Sequence, residues 1–136
     1  MPMLELDELR LRLTAMEPAL RELRQALDID RLEVESQELD QRTAEPGFWD
    51  NAEASQKVLQ RAGAVKGKLE SYRRLTALYD DTLTLIELGL GEEDDSVYEE
   101  ALKDTDTLQK EMEAMTLSAL LTGEYDSRNA ILTFHA

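Results

Sequence analysis

The chain has 136 residues, about one domain's worth, and its 30 acidic against 15 basic residues give a net charge of −15. A field of that sign repels phosphates, which argues against autonomous binding to nucleic acid or to an anionic membrane. The absence of cysteine excludes disulfides and thiolate metal sites, and no apolar run approaches the roughly 20 residues that span a bilayer. These features predict a soluble, cytoplasmic protein.

The first 43 residues carry apolar side chains at helical spacing. Seven of them recur at alternating steps of three and four, along one seam of a helix: Leu6, Leu9, Leu13, Met16, Leu20, Leu23 and Leu27. The stripe keeps its phase across Pro18, which favours a kink there over two separate helices. The phase slips at Leu27-Asp28-Ile29-Asp30, where we expect a bend. The pattern therefore predicts one bent helix over about residues 4–43.

The segment Glu45-Pro46-Gly47-Phe48-Trp49-Asp50-Asn51, called the aromatic turn below, interrupts the helical pattern. Its Pro-Gly pair predicts a chain reversal, and Asp50 or Asn51 is placed to cap the helix that follows. Phe48 and Trp49 are interpreted as a structural anchor, with the two rings plugging the end of a helix pair. An exposed contact for a partner is the less favoured interpretation.

Helical spacing after the turn predicts a long helix over about residues 51–90, near 60 Å in length. Gly63 and Gly67 lie one turn apart in it and indicate either the close approach of another helix or a tolerated exposed face. Lys57, Arg61 and Lys68 share a face of its front half. This set is a possible basic contact face for RNA, although pairing with acidic neighbouring helices is favoured.

The remaining sequence predicts one more helix and the end of the domain. Gly91 suits a left-handed helix end, and the acidic run that follows is interpreted as a solvated turn and not as a calcium loop. A capping box that starts at Ser96 predicts a helix over about 96–121. Residues 130–135 form the only strand-like run. We therefore expect a helical domain over 1–122, with 123–136 as a linker and the start of a truncated following domain.

The predicted fold class is all-α, an elongated antiparallel helical bundle or coiled-coil hairpin with a short orphan C-terminal strand. No catalytic set accompanies it. His135 is the only histidine, and the sequence contains neither a cysteine nucleophile nor a Gly-Gly pair. We expect no enzymatic activity, no cofactor and no metal site.

Four segments, taken in order, resemble the N-terminal domain of bacterial class I peptide chain release factors. They are Leu27-Asp28-Ile29-Asp30, the aromatic turn, Leu121-Thr122-Gly123-Glu124-Tyr125-Asp126-Ser127 and Asn129-Ala130-Ile131-Leu132. The resemblance covers about residues 20–136, and the Phe-Trp turn favours the release factor 2 branch of the family.

The resemblance implies a helical module in translation termination at UAA and UGA. In the family this module reaches the stalk base of the large ribosomal subunit and is linked to the class II, GTP-binding release factor. The codon-reading Ser-Pro-Phe and the hydrolytic Gly-Gly-Gln lie in later domains of the family and are not found here. The module is therefore not expected to be catalytically competent alone. The helical spacing by itself supports an alternative, a stand-alone coiled-coil adaptor or oligomerisation protein, so self-association stays open.

Overall fold

A computed structural model describes residues 2–123 of the chain. They form five α-helices, α1 (Pro2–Thr14), α2 (Glu17–Ala26), α3 (Ile29–Thr43), α4 (Ala52–Gly91) and α5 (Tyr98–Leu121). Two short 3-10 turns lie at Phe48–Asp50 and Asp95–Val97, and none of the described residues is in a strand. The predicted all-α class is thus confirmed for residues 2–123. The strand-like run at 130–135 lies outside the described residues.

The bent helix expected over about 4–43 is divided into three helices. Pro18 lies in the first turn of α2, where its missing N–H would have had no partner within the helix. The proline therefore begins a helix and does not kink one, and the prediction of a single kinked helix is wrong at this point. A second break follows at Asp28, whose φ of +55° is left-handed and immediately precedes α3.

The described residues divide into two compact units. The first unit comprises the described residues up to Leu27 and those from Arg74 onward, and the second spans Asp28–Arg73. The first unit contains α1, α2, the later part of α4 and α5, and its fully buried side chains include Leu6, Leu13, Leu75, Ile86 and Leu108. The second unit contains α3, the aromatic turn and the first part of α4. Its buried side chains include Ile29, Leu32, Leu39, Val58, Val65 and Leu69.

Close backbone approach occurs at Gly89, in the first unit. A Cβ atom added there would lie 2.6 Å from Cγ2 of Val97 and 2.9 Å from the carbonyl oxygen of Asp94. At Gly63 and Gly67 an added Cβ would meet nothing within 4 Å. The close helix approach expected at those two positions is therefore wrong, and they lie on an exposed face, as the alternative interpretation had it.

Helix α4 ends through a left-handed residue that is not glycine. The N–H of Asp94 donates to the carbonyl of Gly89 at 2.8 Å, and the N–H of Glu93 donates to that of Leu90 at 3.3 Å. This paired pattern ends a helix when the residue after the cap is left-handed, and Glu93 has a φ of +54°. Gly91 lies within the helix instead. The following 3-10 turn is capped by Asp94, whose carboxylate accepts the N–H of Ser96 at 2.9 Å.

Candidate contact surface at the aromatic turn

The aromatic turn reverses the chain through a type II β-turn. Gly47 has φ +84° and ψ −1°, and the N–H of Phe48 donates to the carbonyl of Glu45 at 3.1 Å. Those angles belong to the third residue of a type II turn, with Pro46 at the second position. Only glycine adopts them without strain, so the Pro-Gly pair determines the geometry of the reversal. The structure therefore contains the chain reversal that was predicted from these two residues.

Two polar side chains attach the turn to α4. The side-chain oxygen of Asn51 accepts the N–H of Ala54 at 3.1 Å, so Asn51 caps the helix, as one of the two predicted caps. Ser55 is only 3% exposed, and its hydroxyl lies 2.5 Å from the carbonyl oxygen of Phe48 and 2.8 Å from that of Asn51. Sequence reasoning missed Ser55. Its position four residues after the cap was the available signal, because a serine there reaches back to the capping carbonyl.

The two aromatic rings contact each other, but the tryptophan is not buried. Their centroids are 4.9 Å apart and their planes meet at 87°, an edge-to-face pair. Phe48 is half-buried, whereas Trp49 is 66% exposed. The interpretation of Trp49 as a buried plug is therefore corrected. The hydroxyl of Ser55 holds the Phe48 carbonyl against the start of α4, and Phe48 lines the pocket there, whereas Trp49 does not.

A shallow pocket lies beside the Phe48 ring. Its volume is about 300 Å³, and its lining includes Pro46, Phe48 and Val58 together with the polar Arg42 and Glu45. The lining is mixed, and its apolar part comes from Pro46, Phe48 and Val58. Phe48 lines the pocket and contacts the Trp49 ring, but Trp49 itself does not line it.

Acidic side chains surround the exposed ring along the chain. Residues 44–56 contain Glu45, Asp50 and Glu53 and no lysine or arginine. All three carboxylates belong to exposed residues. Within residues 2–123, no ion pair joins any of them to another side chain. Two cations flank this range, Lys57 and the pocket-lining Arg42, so residues 42–57 carry three carboxylates against two cations.

The predicted basic face lies further along α4, in the same unit. Arg61 holds Glu35 of α3 through two bonds, from Nε at 2.6 Å and from Nη2 at 2.8 Å. These bonds hold the pKa of Glu35 below its usual value. Burial, with the nearby Arg61 charge, lowers the pKa of Lys68. Arg61 thus does what the favoured interpretation expected, and pairs with an acidic neighbour.

Lys57 is exposed, whereas Lys68 is half-buried. Nothing in these contacts shows an RNA or another partner, so the basic contact face formed by Lys57, Arg61 and Lys68 stays a prediction.

Among residues 2–123, no group of histidine, aspartate or glutamate side chains is arranged to hold a metal ion. In the same part of the chain, no helix combines the length and apolar character needed to cross a membrane.

By these features the protein is classed as an all-α module that presents a rigid, acidic aromatic turn. Residues 32–136 match the PCRF domain family, and the chain belongs to that family. It is 36% identical over 132 residues to peptide chain release factor 2 of Clostridium perfringens strain SM101, which covers 97% of this chain and 36% of the relative. The resemblance to release factor 2 inferred from four short segments is thereby confirmed.

Relatives from other bacteria give the same result. Peptide chain release factor 2 of Lactiplantibacillus plantarum is 35% identical over 131 residues, 96% of this chain and 35% of the relative. That of Salinispora arenicola is 33% identical over 121 residues, 89% of this chain and 32% of the relative. The chain thus spans about a third of the length of the curated relatives it matches. No solved structure matches.

Proposed function

We propose that this chain is the helical module of a peptide chain release factor of the UAA- and UGA-reading class and acts in translation termination. The observation that carries the proposal is its 36% identity to a release factor 2 over 97% of its length. The match to the PCRF domain over residues 32–136 supports it independently.

The second unit supports an antiparallel helical hairpin, the finer architecture expected from the sequence. Lys66 pairs with Asp40 at 2.7 Å, and Arg73 pairs with Glu33 at 3.4 Å. Lys66 precedes Arg73 in α4, whereas their partners occur in the reverse order in α3, where Glu33 precedes Asp40. Two helices that pair in this order run in opposite directions, which is the arrangement of an antiparallel hairpin.

The proposed partners are the ribosome, at the stalk base of the large subunit, and the class II, GTP-binding release factor. A net charge of −15 suits contact with basic ribosomal proteins better than contact with ribosomal RNA, because like charges across an interface are costly. The module works in the cytoplasm, where ribosomes terminate translation.

Catalysis in this proposal belongs to other parts of a release factor. The sequence contains neither Gly-Gly-Gln nor Ser-Pro-Phe, so residues for hydrolysis and for codon reading have to come from elsewhere. The helical module contributes binding and positioning.

A chimeric release factor tests the proposal. This chain replaces the aligned region of the Clostridium perfringens release factor 2, and release of formyl-methionine is measured on ribosomes programmed with UAA, UGA or UAG. We expect release at UAA and UGA at a rate within about tenfold of the parent, and none at UAG. The parent lacking the aligned region serves as the comparison.

A folded chimera that is no more active than this deletion variant would contradict the proposal. If the isolated chain also forms a stable dimer in sedimentation experiments, the alternative of a stand-alone oligomerisation protein would be favoured.

A further inference from the structure

The aromatic turn holds Trp49 outward on a rigid frame. The ring is 66% exposed, while the backbone around it is constrained by the type II turn, the Asn51 cap and the buried Ser55 hydroxyl. A tryptophan presented in this way is already ordered before a partner arrives, so little conformational entropy is lost when it is contacted. Tryptophan is also among the residues that contribute most to binding when a partner covers them.

The charge near the ring selects the kind of group that can cover it. The face of an indole ring attracts cations, more strongly than the faces of the other aromatic side chains. Glu45, Asp50 and Glu53 add three exposed carboxylates within residues 44–56, and the flanking cations Arg42 and Lys57 offset them only in part. A guanidinium or ammonium group placed over Trp49 therefore gains from both the ring and the carboxylates.

The pocket beside Phe48 adds a second requirement. Its volume is about 300 Å³, and its mixed lining contains an apolar patch from Pro46, Phe48 and Val58 that can contact an apolar side chain. A partner that fills it while placing a cation over Trp49 must carry apolar and basic side chains close together. Peptide segments that alternate or interleave these two residue types meet the requirement.

We propose that the aromatic turn is a docking site for a basic protein segment, which sets an arginine or lysine against the Trp49 ring and an apolar side chain in the adjacent pocket. Nucleic acids and anionic membranes are disfavoured by the three carboxylates. A second copy of this chain would bring the same three carboxylates and another net charge of −15. This inference deepens the proposed function. It rests on that function only in assuming that the partner is met during translation termination.

Peptide binding without ribosomes tests the docking site separately from the release assay. The probe is a fluorescein-labelled twelve-residue peptide that alternates leucine and arginine, and its partner probe carries citrulline, which is neutral, at every arginine. Anisotropy gives the affinity of each peptide for the full chain, and the emission of Trp49, the only tryptophan, reports contact at the turn. A twelve-nucleotide uridine oligonucleotide is the third probe.

Three variants locate the binding. Trp49→Ala removes the ring, and Glu53→Gln removes the one of the three carboxylates that lies in the first turn of α4. Val34→Ala is the matched control, because Val34 is also exposed, at 55%, and belongs to the same unit but lies outside the turn.

We expect the arginine peptide to bind and to shift the Trp49 emission, and the citrulline peptide to bind at least about tenfold more weakly. Trp49→Ala should weaken the arginine peptide by about tenfold and Glu53→Gln by about threefold, with Val34→Ala unchanged. Equal affinity of the wild type and Trp49→Ala would show diffuse attraction to an acidic surface and would overturn the proposal. So would the absence of peptide binding, or tighter binding of the oligonucleotide than of the peptide. Each of these outcomes leaves the result of the chimera assay unaffected, so the two proposals fail separately.

Discussion

Exposure of Trp49 has a direct consequence for stability. Its ring is 66% exposed and makes an edge-to-face contact with Phe48, an arrangement that contributes about 0.5–1.5 kcal/mol. We expect Trp49→Ala to lower the free energy of unfolding by about 1 kcal/mol or less, compared with about 3 kcal/mol or more for a fully buried ring. Urea denaturation followed by far-ultraviolet circular dichroism measures the difference.

Leu75→Ala is the control for that measurement, because Leu75 is 1% exposed and its truncation should cost about 2–5 kcal/mol. Emission from Trp49 in the folded wild-type protein should be red-shifted and open to quenching by acrylamide. A loss above 2 kcal/mol in Trp49→Ala, with blue emission in the wild type, would restore the buried-plug interpretation.

Two glycines of α4 should respond in opposite directions to the same substitution. Gly89→Ala places a Cβ 2.6 Å from Val97 and 2.9 Å from a backbone oxygen, which cannot easily move. We expect it to destabilise the protein by about 1–3 kcal/mol, as overpacking does. Gly63→Ala meets open space and should stabilise the helix by about 0.5–1 kcal/mol. Thermal unfolding of the two variants gives the comparison, and a stabilised Gly89→Ala variant would show that the approach at this position is looser than the distances indicate.

At the scale of elements, the ion pair of Arg61 and Glu35 joins α3 to α4. The pKa of Glu35 is lowered in the folded protein because Arg61 donates two hydrogen bonds to its carboxylate. A lowered folded pKa contributes stability that is present above the unfolded pKa and is lost as the pH falls through the folded value.

We therefore expect Glu35→Gln to cost up to about 1 kcal/mol at pH 7, the upper range for partly exposed pairs. The difference from the wild type should shrink as the pH falls from about 4.5 toward 3. Glu38→Gln is the control, since Glu38 is an exposed carboxylate of α3 that makes no ion pair within residues 2–123. Urea denaturation at a series of pH values measures both variants. A difference for Glu35→Gln that is constant from pH 7 to pH 3 would mean that the pair does not stabilise the packing of α3 against α4.

The helices themselves were largely predictable, whereas their breaks were not. Helical spacing indicated α4 and α5 because residues three and four apart share a face in any helix. The break between α1 and α2 was missed because a stripe can keep its phase across a short interruption. In α4, the almost fully buried side chains include Leu75 and the polar Thr82. Which face of a helix is buried depends on the helices that pack against it, and not on the spacing alone.

At the scale of the whole molecule, we expect the chain alone to be inactive in peptide release. The sequence lacks the Gly-Gly-Gln and Ser-Pro-Phe that the release factor family uses for hydrolysis and codon reading. The purified chain should release no formyl-methionine above background from ribosomes programmed with UAA or UGA, whereas the chimera proposed above should. Codon-dependent release by the chain alone would contradict the assignment of hydrolysis and codon reading to other parts of the release factor.

The sequence by itself determined the all-α class, the reversal at Pro46-Gly47 and the family. These depend on local rules, since helical spacing, a turn that demands glycine and short ordered motifs are all contained in neighbouring residues. Tertiary structure alone decided that Trp49 faces outward, that Gly89 and not Gly63 lies against other atoms, and that Arg61 reaches Glu35. Each of these depends on atoms that local spacing does not place, because which side of a helix or a turn is covered is determined only when the elements pack.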